Sequence, residues 1–421
     1  MKLGFRLVNL QTLGALTVIL QAASAAAQEP APPAAPAPEA TPVAPAAVEA
    51  TAPAPTPVAP PPETPASVVN EPALAPPAPL AAPEPEVKAE EPPPPLNLSF
   101  WGRVDTTISN GEDLDDLSST GDFQLHASGK VYGIVSFTTN LIATYNPDIS
   151  GTAGLLDGII QIEPSDYFNV WLGRMLVPVD RSNFSGPYFM APWFYPGFGF
   201  ADGQVGAPLE GPNGRNDGVT VWGQVGGGLL KYYAGVYDLY DVETSPLYSG
   251  RISLHLLNPE PGYYNSSTYY GKDLLGIGLG LQTKKDGYTQ TDADGVVVAS
   301  DTYTEFNADI LFEKNLDGAG VLDLEGAFYK FSGDYRVTDA SWFALASYLL
   351  PGDIGPGKLQ PLVRVQQAIP EADGADTSTL IDAQLGYIVN SYNTRFALGY
   401  RNGTAGDAKT QAVFFGAQIL K

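Results

Sequence analysis

The stretch TEFNADILFE, Thr304 to Glu313, decides the reading of the fold. Phe306, Ala308, Ile310 and Phe312 fall on one side of an extended chain, and Glu305, Asn307, Asp309 and Glu313 on the other. Side chains alternate across a β-strand with a period of two, so this is a strand with two unlike faces. Thr379 to Val389 repeats the pattern, with Ile381, Ala383, Leu385, Tyr387 and Val389 opposite Asp382, Gln384 and Gly386. Thr394 to Arg401 does so again, and Leu275, Ile277, Leu279 and Leu281 face away from Gly276, Gly278, Gly280 and Gln282.

Leu96 to Lys421 divides into about sixteen segments of this kind, each of roughly ten residues. Links from odd to even segments are the longer, acidic ones, such as Gly111 to Thr120, Lys285 to Thr302 and Pro370 to Asp376. Links from even to odd segments are tight: Glu163 to Asp166, Gly226 to Gly228, Asn315 to Gly320 and Asn390 to Asn393. Pro259 to Lys272 is the exception, too long for a simple turn. The reading is all-β: a closed antiparallel transmembrane β-barrel with long loops on one rim and short turns on the other. Phe100-Trp101, Tyr145, Tyr237, Tyr240, Trp342, Tyr348 and Tyr400 are expected as interfacial girdles. Alternation by itself suits a soluble sheet equally well, with the apolar rows inside and the polar rows outside.

Composition bounds the rest. Met1 to Ala27 has the form of a secretory signal peptide, with Lys2 and Arg6, an apolar run from Leu10 to Leu20, and Ala25-Ala26-Ala27 as a cleavage site. Residues 28–95 are an Ala/Pro/Glu-rich linker whose composition favours disorder and polyproline II, ending in Pro92-Pro93-Pro94-Pro95. It reads as a spacer, or as an arm reaching peptidoglycan. The chain has no cysteine, so an exported fold must be held by packing or by its solvent. Its net charge is −24, opposite to what phosphate contacts need, and a nucleic-acid partner is not expected.

Between the fifth and sixth segments runs a long loop, Pro178 to Asn216. It carries Tyr188, Phe189, Trp193, Phe194, Tyr195, Phe198 and Phe200 among prolines and glycines. Loops of this length are usually functional. Folded inward, it would narrow a channel and offer stacking surfaces to a flat or sugar-like solute. Left outside, it would pack on a neighbouring subunit or the rim. The polar faces carry both signs of charge: Asp105, Asp157, Glu305, Asp309, Glu313, Asp323, Glu325 and Asp382 against Arg103, Arg174, Lys231, Arg251, Arg364, Arg395 and Arg401. With Arg181 and Arg215 of the loop, these are the candidate pore-lining and constriction residues, and opposed charges across a wet lumen set up a transverse field. His126 and His255 are the only histidines, and His126, near Ser128, reads as a hydrogen-bonded wall residue. No catalytic set, metal site or cofactor is implied.

Val170 to Pro187, VWLGRMLVPVDRSNFSGP, resembles the Gly-Arg-x-x-x-Pro strand end of the phosphate-selective porin O and P family, with Gly173, Arg174, Val177 and Pro178 at the matching positions. The resemblance implies a trimeric outer-membrane porin of a Gram-negative-type bacterium with its long loop folded inward. The family's ladder of cations does not carry over, because the loop offers only Arg181 and Arg215 against Asp180, Asp202 and Glu210. The expected function is passive diffusion of small hydrophilic solutes and ions, with a mild cation preference. An anion- or phosphate-selective channel and a structural, envelope-anchoring barrel are the alternatives.

Overall fold

The alternating segments pair, each with its neighbours in sequence, into one antiparallel sheet that closes on itself. The computed structural model describes residues 96–111, 114–145, 152–197, 214–239, 245–292 and 296–421, so the expected signal peptide and proline-rich linker lie outside the described residues. The strands are β1 (Asn97–Gly111), β2 (Leu114–Tyr132), β3 (Val135–Tyr145), β4 (Thr152–Ser165), β5 (Phe168–Leu176), β6 (Arg215–Val225), β7 (Leu230–Tyr237), β8 (Leu247–Leu256) and β9 (Leu274–Thr291). They continue as β10 (Val297–Asn315), β11 (Val321–Ser332), β12 (Thr338–Leu349), β13 (Asp353–Ile354), β14 (Gly357–Pro370), β15 (Ser378–Asn390), β16 (Thr394–Ala405) and β17 (Ala408–Leu420). β13 is a two-residue partner of β14, and the other 16 strands form the wall. Closure comes from β1 against β17, in register from Trp101↔Leu420 to Asn110↔Gln411.

The wall settles which face is which. Phe306, Ile310, Leu279, Leu281, Leu385 and Leu398 are exposed on the outside, while Glu305, Asn307, Asp309 and Glu313 are buried within. A soluble sandwich would have the reverse. So extensive an apolar exterior is not tolerated in water and is what a lipid-facing barrel presents. Closure also pairs the backbone groups that lipid cannot satisfy. Among the described residues no helix is long and apolar enough to cross a membrane.

Three expectations change. The acidic links Gly111–Thr120 and Lys285–Thr302 are mostly strand, since β1 runs to Gly111, β2 begins at Leu114, β9 runs to Thr291 and β10 begins at Val297. Strand lengths in the wall accordingly range from 8 residues in β7 to 19 in β2 and β10. In the girdle, Tyr237 is fully buried on the inner face and Trp101 turns inward onto Tyr188 and Phe189 (Tyr240 lies outside the described residues). Among the tight turns, Gly226, Gly227 and Gly228 all have positive φ (63°, 64° and 96°), which only glycine adopts at little cost.

Candidate functional site

The loop after β5 turns into the barrel at once. Arg181–Ser185 form a single helical turn, α1, capped by Asp180, whose Oδ1 accepts the Asn183 N–H at 2.6 Å. Pro178 O accepts from Ser249 Oγ of β8 at 2.8 Å, and Val179 O from Arg251 Nη1 at 3.0 Å. Farther on, Tyr188 donates to Asp122 Oδ1 of β2 at 2.7 Å and its carbonyl accepts from Gln418 Nε2 of β17 at 3.0 Å. The N–H groups of Trp193 and Gly197 donate to Gln384 of β15 and Gln366 of β14, both at 2.8 Å. A chain that leaves β5 and bonds to β2, β8, β14, β15 and β17 runs inside the closed wall.

Its composition explains its partners. Pro178, Pro187, Pro192 and Pro196 lack N–H groups, so the loop brings more acceptors than donors, and buried carbonyls must find partners. The wall supplies arginines. Arg103 donates to Pro187 O (3.1 Å) and Trp193 O, Arg395 to Met190 O and Pro187 O (3.2 Å), and Arg364 to Tyr195 O (3.1 Å). The Trp193 ring lies 4.1 Å from the Arg103 guanidinium and 5.6 Å from that of Arg395, within the range of cation–π attraction. It rests on Gly416, where a Cβ would come within 2.3 Å of the indole. Tyr188 and Trp193 are 1% exposed, so they pack the loop to the wall and present no stacking face, contrary to expectation. Phe189, Phe194 and Tyr195 are half-buried, Phe189 against Trp101 and Phe194 against Phe414 and Arg401, while Phe198 and Phe200 lie outside the described residues.

A second segment, 257–273, enters from the opposite rim, since it links an even strand to an odd one. This is the stretch whose length rules out a simple turn, and alternation carries no sign of its interior role. Lys231 caps the carbonyls of Gly262 (3.0 Å) and Tyr264 (3.1 Å). Glu313 gathers the N–H groups of Tyr269, Gly271 (2.6 Å) and Lys272 (2.6 Å), and the Thr268 hydroxyl at 3.0 Å. Glu325 accepts from Ser267 Oγ, and Asp323 from Ser347 Oγ at 2.8 Å.

The two segments meet. Arg181 makes a bidentate pair with Glu260, at 3.0 and 2.6 Å, and donates to Ser266 O at 2.7 Å. Ser267 N–H donates to Phe189 O (3.0 Å), and Ser267 Oγ accepts from the Ala191 N–H (3.2 Å). Burial would raise the Glu260 carboxyl, but the Arg181 guanidinium and the His255 ring beside it hold it well below the usual carboxylate range. Room for Arg181 and Arg251 comes from β9, where Cβ atoms at Gly276 and Gly278 would lie 2.3 and 2.2 Å from their guanidinium nitrogens. A run of inward glycines is therefore a readable sign that something in the lumen presses on the wall.

The remaining candidate charges are distributed around this frame. Arg174 pairs with Asp217 at 3.0 Å, Arg215 with Asp157 at 3.1 Å, and Arg251 with Asp309 at 2.9 Å. Arg364 and Arg401 share Asp382, at 2.9 and 2.8 Å. Glu305 accepts from Asn307 Nδ2 at 2.9 Å, and Asp105 from Thr120 Oγ1 at 3.1 Å. His126 packs against Trp101 with ring centroids 3.6 Å apart and planes tilted by 34°, and its Nε2 meets Gln124 Oε1. A cavity of about 460 Å³ lies between loop and wall, lined by Arg103, Asp105, Thr120, Asp122, Phe194 and Tyr195 among others.

No protein-family model matches this chain, and no curated protein matches it in sequence. Its fold is similar to solved structures. One is OprB of Pseudomonas putida, with 11% identity and a TM-score of 0.57 over 77% of this chain and 94% of that one. Another is the anion-selective porin of Comamonas acidovorans, with 16% identity and a TM-score of 0.52 over 77% and 99%. A third is the outer membrane protein OmpT of Vibrio cholerae in its trimer form, with 13% identity and a TM-score of 0.52 over 77% and 99%. The fold is that of the outer-membrane porins.

Proposed function

We propose that this protein is an outer-membrane diffusion channel for small hydrophilic solutes and ions, mildly cation-preferring and trimeric, with the 178–197 loop at its constriction. The observation that carries this reading is the inverted wall: apolar rows outside, charged rows inside, and a loop crossing between them. The cation preference rests on which charges remain uncompensated. Arg174, Arg181, Arg215, Arg251, Arg364 and Arg401 each have a carboxylate partner. Among the described residues, Asp105, Asp122, Glu313, Asp323 and Glu325 take hydroxyl, amide or main-chain donors and form no ion pair. Against them, the candidate cations Arg103, Lys231 and Arg395 are likewise held by carbonyl or amide acceptors without an ion pair, so acids remain in excess. A phosphate-selective channel would need free cations where Arg174 and Arg181 are already neutralised. The trimer form of the Vibrio cholerae protein supports the assembly. Reconstitution in a planar bilayer under a KCl gradient tests the proposal. Discrete current steps with a cation-signed reversal potential are expected; silence, or a membrane that only ruptures, would overturn it.

A further inference from the structure

Segment 257–273 is held too elaborately for a turn. Glu260, Tyr263, Asn265, Ser267 and Thr268 are each buried to within 3% of complete. Tyr263 stacks on Trp171 of β5 with centroids 4.2 Å apart and donates to Leu176 O at 3.1 Å. Phe184 of α1 packs edge-on to Tyr263 at 5.3 Å. The segment thus lies directly against the first half of the long loop, and Arg181–Glu260 joins them where both are fully enclosed.

We propose that 257–273 is the second half of the constriction, contributed from the opposite rim. The Arg181–Glu260 pair, with Ser267 against Ala191, sets how tightly the halves close. The proposal rests on the channel reading above and adds to it. Solutes pass a section bounded by two loops, and neither alone fixes its width. The buried pair is the lock because each charge, in a site this enclosed, needs the other. Either partner made neutral leaves the opposing charge only weaker company, His255 and Tyr269 for Glu260 or Asp309 at 4.0 Å for Arg181, and the segment then separates from α1.

The test uses single-channel recording on the refolded full chain, with heat-modifiable migration on gels confirming that each variant is a folded barrel. Glu260→Gln and Arg181→Gln are expected to raise conductance and to admit larger neutral solutes in liposome swelling. The chain has no cysteine, so the pair Ala191→Cys with Ser267→Cys can be oxidised without competing thiols. That cross-link keeps Arg181 and Glu260 in place and is expected to hold conductance at or below the wild-type level with less fluctuation, reversed by reductant. If the wild type conducts and none of these changes alters conductance or size limit, the inference fails while the channel reading stands. If the wild type is silent, the channel reading fails for the native chain even where Glu260→Gln conducts. If all are silent, the channel reading fails and takes this one with it.

Discussion

The long loop 178–197 and the stretch 266–273 of the second segment are anchored by different chemistry, and proline sets the difference. The earlier part of that segment, with Pro259 and Pro261, again brings carbonyls, which Lys231 holds. Residues 178–197 hold four prolines and bring a surplus of carbonyls, which Arg103, Arg395 and Arg364 satisfy from β1, β16 and β14. Residues 266–273, SSTYYGKD, hold none and bring N–H groups, three of which converge on Glu313 of β10. The arginine side and the acid side of the wall are thus matched to the backbone each must hold. Unpaired polar backbone in an enclosed space is costly, and each loop's composition dictates which wall charge can offset it.

The largest effect should come from breaking the acid side. Glu313→Ala orphans three half-buried N–H groups, at up to about 1–3 kcal/mol each, and should lower the melting point of the detergent-solubilised barrel most. An unchanged melt would mean the segment is not held there. Next, Arg103→Ala removes donors to Pro187 O and Trp193 O and should cost about 1.5–3 kcal/mol per charge-assisted bond. Released tryptophan fluorescence from Trp193 would report the loop leaving the wall; a spectrum like the wild type would count against it. Smaller again is Gly280→Ala. Its Cβ would stand 2.5 Å from Val179 O, a main-chain atom that must move, for about 1–3 kcal/mol of overpacking.

The smallest is a predicted absence of effect. The Glu260 pKa is lowered on folding, so its pairing stabilises above the free glutamate value of about 4.3 and is lost only as pH falls through the lowered value. Melting of wild type should therefore show no contribution from this pair between pH 7 and pH 5. A drop over that window that disappears in Glu260→Gln would contradict the assignment.

Much of the fold was legible because alternation imposes itself wherever one face meets lipid. It failed at Gly111–Thr120 and Lys285–Thr302 for the same reason. A strand that continues beyond the bilayer has water on both sides, needs no apolar row, and reads as an acidic loop. The inward turn of Trp101 was legible in principle, since it shares parity with Arg103 two residues on. The use made of Glu313 and Arg395 was not. Alternation assigns a side chain to a face, whereas its partner is chosen by a loop 44 residues from Glu313 and 205 from Arg395 along the chain.

Main-chain hydrogen exchange on the folded barrel tests the two-sided anchoring most directly. The amides of Tyr269, Gly271 and Lys272 on one segment, and of Ala191, Trp193 and Gly197 on the other, each donate to a side chain. Protection comparable to that of the wall strands is expected for all six. Exchange at the rate of open chain at these positions, with the strands still protected, would contradict the account.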